Sequence, residues 1–198
     1  MNLSELTHRF CFRQIDEDAI MQFLMTQQEE LLLDDKTAVQ KVVDRLFDYG
    51  GILATFTPDG EIVAMLGFFF GDPSHHFEDK DTLFLYVAAI AKQYRLSRLF
   101  YQGMLFVMRK GRELGMINFR MQANIHDPYS NKLYSRMGKP LGESRTMRGH
   151  RVMTYGGVIQ DLLARYERTQ KRVEHSSKTQ YAKNNVQHTL FLAPAFIP

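Results

Sequence analysis

"AKQYRLSRLFYQGM", residues 91–104, joins an apolar run to a helical pattern, and its reading decides the fold. The run before it, "TLFLYVAAIA", is apolar on both faces and predicts a central strand. The pattern after it predicts a helix ending near "GRELGM", with Gly115 as the C-cap. A strand, a turn carrying arginines and a helix start can receive an anion, because the first amides of a helix are unpaired and partly positive. Glycines normally allow close approach to such a backbone. Here the places where they would be expected hold Leu96, Arg98 and Phe100. Arg95 and Arg98 offer charge-assisted donors instead. The stretch is either a phosphate cradle without its glycines or the solvated start of a helix.

Upstream, "HRFCFRQI" alternates and predicts a first strand. "DEDAIMQFLMTQQEELLL" predicts a helix with Asp16 as its N-cap. In the next segment Val39, Val42, Val43, Leu46 and Phe47 recur at helical spacing, and the pattern stops at Gly50-Gly51. "ILATFTPDGEIVAMLGFFFGD" reads as two strands about a Thr57–Gly60 turn. Downstream come a strand ("INFRMQAN"), a short helix ("DPYSNKLYSRMG") and a hairpin turning at Arg148-Gly149. The order β-α-α-β-β-β-α-β-α-β-β describes an α/β (α+β) mixed sheet of about six to seven strands with helices on its faces. One domain is expected over 1–160, with 161–198 a C-terminal helix and polar tail packing on that domain or on a partner.

Composition narrows the function classes. Hydrophobic residues make up 44% and charged residues 24% of the 198, as in ordinary globular chains. The apolar run Ile62 to Phe70, broken only by Gly67, is far shorter than the roughly 18 residues of a membrane span. No secretory pattern opens the chain, so a cytoplasmic location is expected. The lone Cys11 excludes an internal disulfide, fits a reducing compartment and reads as a small buried hydrophobe. The formal net charge is +3. Lys92, Arg95, Arg98, Arg109, Lys110 and Arg112 face one acid, Glu113, along the same stretch, which suits an acidic partner. No recognised reader motif supports nucleic-acid binding. His75-His76 lacks a second ligand pair, so no metal is expected.

The element order, with three local patterns, resembles the GCN5-related N-acetyltransferase (GNAT) superfamily over residues 8 to about 160. The first pattern is the strand-to-helix opening "FRQIDEDAIMQFL". The second is the quoted turn: that superfamily has Arg/Gln-x-x-Gly-x-Gly/Ala there, and Arg95 matches while Arg98 and Phe100 stand at the glycine positions. The third, "DPYSNKLYSRMG", is similar to Asn-x-x-Ala-x-x-Leu-Tyr-x-x-x-Gly, with Leu133, Tyr134 and Gly138 in register.

The resemblance implies acyl transfer from a thioester to an amine, with no tightly bound cofactor. The turn at Arg95, Leu96, Ser97, Arg98, Leu99 and Phe100 would bind the donor. Some relatives take the acyl group from acyl carrier protein, as in acyl-homoserine-lactone synthases and long-chain N-acyl amino acid synthases. A turn rich in arginine suits such an acidic donor, so the leading expectation is fatty acylation of a small amine such as an amino acid. Phe68, Phe70, Phe84 and Tyr86 would line the acyl pocket, in a chain with 15 phenylalanines and 11 methionines. The alternatives are a coenzyme A-dependent acetyltransferase and a catalytically silent binding module. Tyr134 would stabilise the departing thiolate, and a backbone amide near Val87 to Ala89 the oxyanion. The register in which relatives often carry a basic Glu holds Phe84. Glu78, Asp79, Asp81 and His126 are therefore the candidate bases.

Overall fold

The computed structural model describes residues 5–95, 97–146 and 149–169. Strand β1 (Thr7–Phe10) is followed by helices α1 (Arg13–Thr26) and α2 (Lys36–Tyr49). Three strands come next, β2 (Gly50–Phe56), β3 (Ile62–Phe70) and β4 (Thr82–Ile90). Helix α3 (Leu99–Glu113) leads to β5 (Asn118–Asn124), α4 (Pro128–Ser135), β6 (Lys139–Arg145) and β7 (Arg151–Val158). A final helix, α5, covers 159–169. This is the order expected from the sequence.

The seven strands form one sheet in the order β1-β2-β3-β4-β5-β7-β6. Every neighbouring pair is antiparallel except β4 and β5. A parallel pair needs a crossover, and α3 supplies it. Helices α1 and α2 cover one face, where Ile20, Leu24, Val43 and Leu46 pack with Ile52, Phe69 and Phe84. On the other face α3 and α5 meet Leu66, Phe68, Phe119 and Met121 through Met104, Met108, Ile159 and Leu163. Burying each large apolar side chain contributes about 1.5–3 kcal/mol relative to leaving it exposed.

Three local features decide where the elements begin and end. Asp16 is not the N-cap of α1; that position is Phe12, and the helix begins at Arg13. The Asp16 carboxylate lies inside the first turn, accepts the Phe12 N–H at 2.8 Å and grips the Arg9 guanidinium at 2.7 and 2.9 Å. It thus satisfies an orphan helix donor by reaching back, as the Glu of a capping box does. Helix α2 starts where Asp35 accepts the Ala38 N–H. It ends at Gly50, where a Cβ would sit 1.8 Å from the Phe68 carbonyl oxygen, so only glycine lets β2 leave the helix directly into pairing with β3.

Helix α5 follows β7 without a break and crosses the boundary placed at residue 160. It buries Ile159, Leu162 and Leu163 in the α3 cluster. Residues 170–198, with the closing apolar "TLFLAPAFIP", lie outside the described residues.

Candidate active site

Parallel pairing between β4 and β5 runs only from Thr82↔Asn118 to Leu85↔Met121. Beyond it both strands continue, to Ile90 and Asn124, without pairing to each other. A β-bulge marks the break: Gly67 opposes Val87 and Phe68 opposes Leu85, leaving Tyr86 as the extra residue of β4. The strands therefore part at Tyr86 and open a cleft of about 240 Å³, counted out to open solvent.

Residues of both faces of the sheet line that cleft. From the α3 face it is lined by Phe100 and Tyr134, both packed against the α3 cluster. From the α1–α2 face it is lined by Tyr86, whose ring lies 4.7 Å from that of Phe69, and by Gln122. Alternation along β5 sets the position of Gln122, because Phe119, Met121 and Ala123 are buried on the opposite side.

Tyr134 is held from three directions. Its ring stacks on Phe100 at 6.1 Å and meets Tyr155 edge-on at 6.2 Å. Asp127 caps α4 by accepting the Tyr129 and Ser130 N–H groups. Asn131 donates to the carbonyls of Asn124 and Asp127 and accepts from the Tyr155 hydroxyl at 2.9 Å, which ties α4 to β5 and β7. Gly138 completes the seating, since a Cβ there would lie 2.8 Å from the Gly156 nitrogen. The Tyr134 hydroxyl has no hydrogen-bond partner among the described residues. Burial pushes its pKa up to about 12, and the negative charge of Asp127 adds to the rise. At neutral pH it is a phenol with a proton to offer.

The donor-turn residues are split in role. Arg95 is engaged: it donates to the Ile90 carbonyl, to Gln27 Oε1 and to both oxygens of Glu30, bracing the turn against the end of α1. Ser97 Oγ accepts the Leu99 N–H at 3.2 Å, and Leu99 is buried. Arg98 is exposed with no partner among the described residues. Leu96 lies outside the described residues.

The expected acyl-pocket residues do not share one wall. Phe68 and Phe70 belong to the α3 face, whereas Phe84 is buried under α1 and α2. Pairing register explains the separation, because Phe84 sits opposite Phe69. Tyr86 alone of the four lines the cleft. A second cleft, beside α3, is lined by Leu53, Ala64, Leu66, Ala88, Ile90 and Gly103 among others, and shares Leu66, Ala88 and Phe100 with the first.

None of the candidate bases is among the residues that line the cleft. Asp81 precedes β4, where its backbone carbonyl accepts the Ile117 and Asn118 N–H groups and its carboxylate faces Asn118 Nδ2. Glu78 is exposed in the preceding loop. At about 3.3 Å per strand residue, Asp81 lies roughly 16 Å from Tyr86. Asp79 is bound to Arg120, which also pairs with the buried Asp72 and lies 3.0 Å from His75 Nδ1. Asp72, His75 and Asp79 could by spacing surround a cation, and the Arg120 guanidinium sits among them. His126 is exposed just past β5, at the split end, and its N–H is held by Asn124 Oδ1. Sequence reasoning missed Gln122, Asn131 and Tyr155. For Gln122 a signal was there, since polar Arg120, Gln122 and Asn124 alternate with buried residues in β5.

No protein-family model matches the chain, and no curated protein matches it by sequence. Solved structures do match. A Desulfovibrio desulfuricans protein assigned to the GNAT family of acetyltransferases superposes with a TM-score of 0.61 at 15% identity, covering 78% of this chain and 99% of that one. RimL, a ribosomal L7/L12 α-N-protein acetyltransferase solved with coenzyme A, gives 0.59 at 14% identity, covering 78% and 94%. The ribosomal-protein-S5-alanine acetyltransferase of Vibrio fischeri gives 0.60 at 8% identity, covering 82% and 97%. Across its mixed seven-stranded sheet and flanking helices, the chain has the fold of the GNAT acetyltransferases.

Proposed function

We propose that the protein is an N-acyltransferase that moves an acyl group from a thioester to a primary amine across the β4–β5 split. The observation that carries this reading is the Tyr134 phenol, protonated and unpartnered among the described residues, on the wall of a cleft lined by residues of both sheet faces. The thioester would lie on the α3 side and the amine would come from the α1–α2 side. Tyr134 would donate a hydrogen bond to the departing sulfur. A free thiol ionises near pH 8.5, so the thiolate needs this stabilisation more than a full proton from a phenol of pKa about 12. Backbone amides beyond the Tyr86 bulge, where β4 has left β5, are the candidate oxyanion donors.

For the donor, acyl carrier protein is the reading we favour. Arg98 is exposed and unpaired beside the cleft, and Ser97 already uses one amide of the turn, which suits one phosphate on an acidic partner better than a nucleotide pyrophosphate. A fatty chain would lie not on Phe84 but along the second cleft, where Gly103 lacks a side chain and a Cβ would meet only Leu53, at 3.7 Å. The acceptor would be a small amine such as an amino acid. Coenzyme A is the second reading, favoured by RimL, which was solved with that donor.

Kinetics with acetyl, octanoyl and palmitoyl thioesters, each on carrier protein and on coenzyme A, tests this directly. Higher kcat/KM from the carrier, lost in Arg98→Glu and at high salt, is the expected result. Equal or better use of coenzyme A, unaffected by Arg98→Glu, would remove the carrier-protein reading.

A further inference from the structure

We propose that Gln122 receives and orients the acceptor amine, so that the site works without a carboxylate or histidine base. This rests on the acyltransferase reading above. Gln122 lines the split together with Tyr86 and Tyr134. Its Nε2 donates to Thr154 Oγ1 at 3.2 Å and reaches Ser144 Oγ at 3.5 Å. Both anchors are uncharged hydroxyls, and Thr154 stands directly opposite Gln122 on β7. The amide nitrogen is thus held by β7 and β6. The carbonyl Oε1 is left without a partner among the described residues, and it is not sealed in the core.

An amide oxygen accepts hydrogen bonds but takes up no proton near neutral pH. It can therefore hold one N–H of a neutral amine and leave the nitrogen lone pair directed across the split. It offers no charge to hold an ammonium and cannot strip a proton from one. The groups that could do so do not line the cleft: Asp81 and Glu78 precede β4, Asp79 is committed to Arg120, and His126 is exposed two residues beyond the end of β5. The amine must enter uncharged, with its own pKa setting the fraction available.

The step balances without a protein base. The amine nitrogen bonds to the thioester carbon, and the carbonyl π pair moves onto oxygen. When the C=O re-forms, the C–S bond breaks and sulfur leaves as a thiolate accepting a hydrogen bond from Tyr134. The extra proton on nitrogen passes through solvent to that thiolate. The products are an amide and a thiol, and Gln122 neither gains nor loses a proton.

The experiment uses the full chain with octanoyl-carrier protein and octanoyl-coenzyme A as donors. The acceptors are phenethylamine and L-phenylalanine, amines that differ by a carboxylate. Gln122→Ala should raise the acceptor KM about threefold to tenfold, the loss of one hydrogen bond between uncharged groups. Donor KM and thioester hydrolysis without acceptor should stay at the parent level. Thr154→Val frees the amide to rotate and should raise the acceptor KM in the same direction. Gln122→Glu keeps the shape but adds a carboxylate that can bind the ammonium form and take its proton, and should extend activity to lower pH. An unchanged acceptor KM in Gln122→Ala overturns the assignment, as does a Gln122→Glu enzyme with the parent pH profile. So does loss of donor and acceptor steps alike with a lowered thermal midpoint, which marks a bracing role. Transfer to neither amine from either donor overturns the acyltransferase reading itself and this assignment with it.

Discussion

The two ends of β4 are built from the same strand and treat polar groups in opposite ways. At its start, from Thr82 to Leu85, the strand pairs on both sides, and the surrounding charges are knotted: Arg120 binds Asp72 and Asp79, and Asp79 Oδ1 accepts the Asp72 N–H. At its far end β4 leaves β5, and Tyr134 and Gln122 line the gap, the Tyr134 hydroxyl and Gln122 Oε1 both unpartnered among the described residues. Satisfied polar groups hold a fold together; unsatisfied ones at a cleft are available to a substrate. Reactive potential thus sits where the ladder fails, and the carboxylates that look like bases in the sequence are mostly structural.

The sharpest test of the knotted end is Arg120→Ala. The Asp72 side chain is 4% exposed and would lose its cation, so the unfolding free energy should fall by about 3–5 kcal/mol. Denaturant titration measures it. A loss under about 1 kcal/mol would mean the knot is ornamental and the contrast between the ends is false.

At the open end, Tyr134→Phe should lower kcat about 10- to 100-fold, the value of one hydrogen bond to a developing charge, with the unfolding midpoint unchanged. Because burial holds the Tyr134 pKa at about 12, the phenol keeps its proton through the working range. The rate should therefore rise with deprotonation of the amine between about pH 6 and 10 and show no falling limb from this residue. A limb near pH 8 that vanishes in Tyr134→Phe would contradict that environment.

The knotted end should also be the acid-sensitive one. Burial alone would raise the Asp79 pKa, but the Asp72 N–H, the Arg120 charge and the His75 bond outweigh it, so the value is lowered. A carboxyl with a lowered folded pKa contributes stability that is fully present above its unfolded value, near 3.9, and is lost as pH falls through the folded value. Asp16, lowered by its Arg9 hydrogen bond, acts in the same sense. Thermal midpoints should hold above about pH 5 and drop below about pH 4. Asp79→Asn should flatten that slope while lowering the plateau, and an unaltered slope would take Asp79 out of the linkage.

Much of this was legible in the chain because periodicity and punctuation are local. The order of elements, the α2 stripe of Val39, Val42, Val43 and Leu46 with its stop at Gly50, and the helix carrying Tyr134 follow from local sequence pattern. What was hidden depends on strands meeting at a distance. The face of Phe84 is set by its pairing with Phe69, and the bulge at Tyr86 exists only in the register of β4 against β3. Asp16 reads as a cap because its grip on the Arg9 guanidinium, seven residues back, leaves no mark in the sequence pattern. Arg95 looks free until Glu30, 65 residues away, is seen to hold it. Gln122 carries no motif, and only the parting of two strands gives it a place in the site.

The smallest expected effect is the most direct challenge to the contrast. Glu78→Gln removes a carboxylate from an exposed loop position at the knotted end. Its N–H donates to the His75 carbonyl and its carbonyl accepts from Lys80, backbone bonds that the substitution leaves intact. Stability should stay within about 0.5 kcal/mol of the parent and kcat within about twofold, since the group lies at the opposite end of β4 from Tyr134. Asp81→Asn should likewise leave kcat in place, its backbone carbonyl still capping the start of β5. A tenfold fall in kcat for either variant, with the fold intact, would put a base where the ladder is complete and end the division of β4 into a structural and a reactive half.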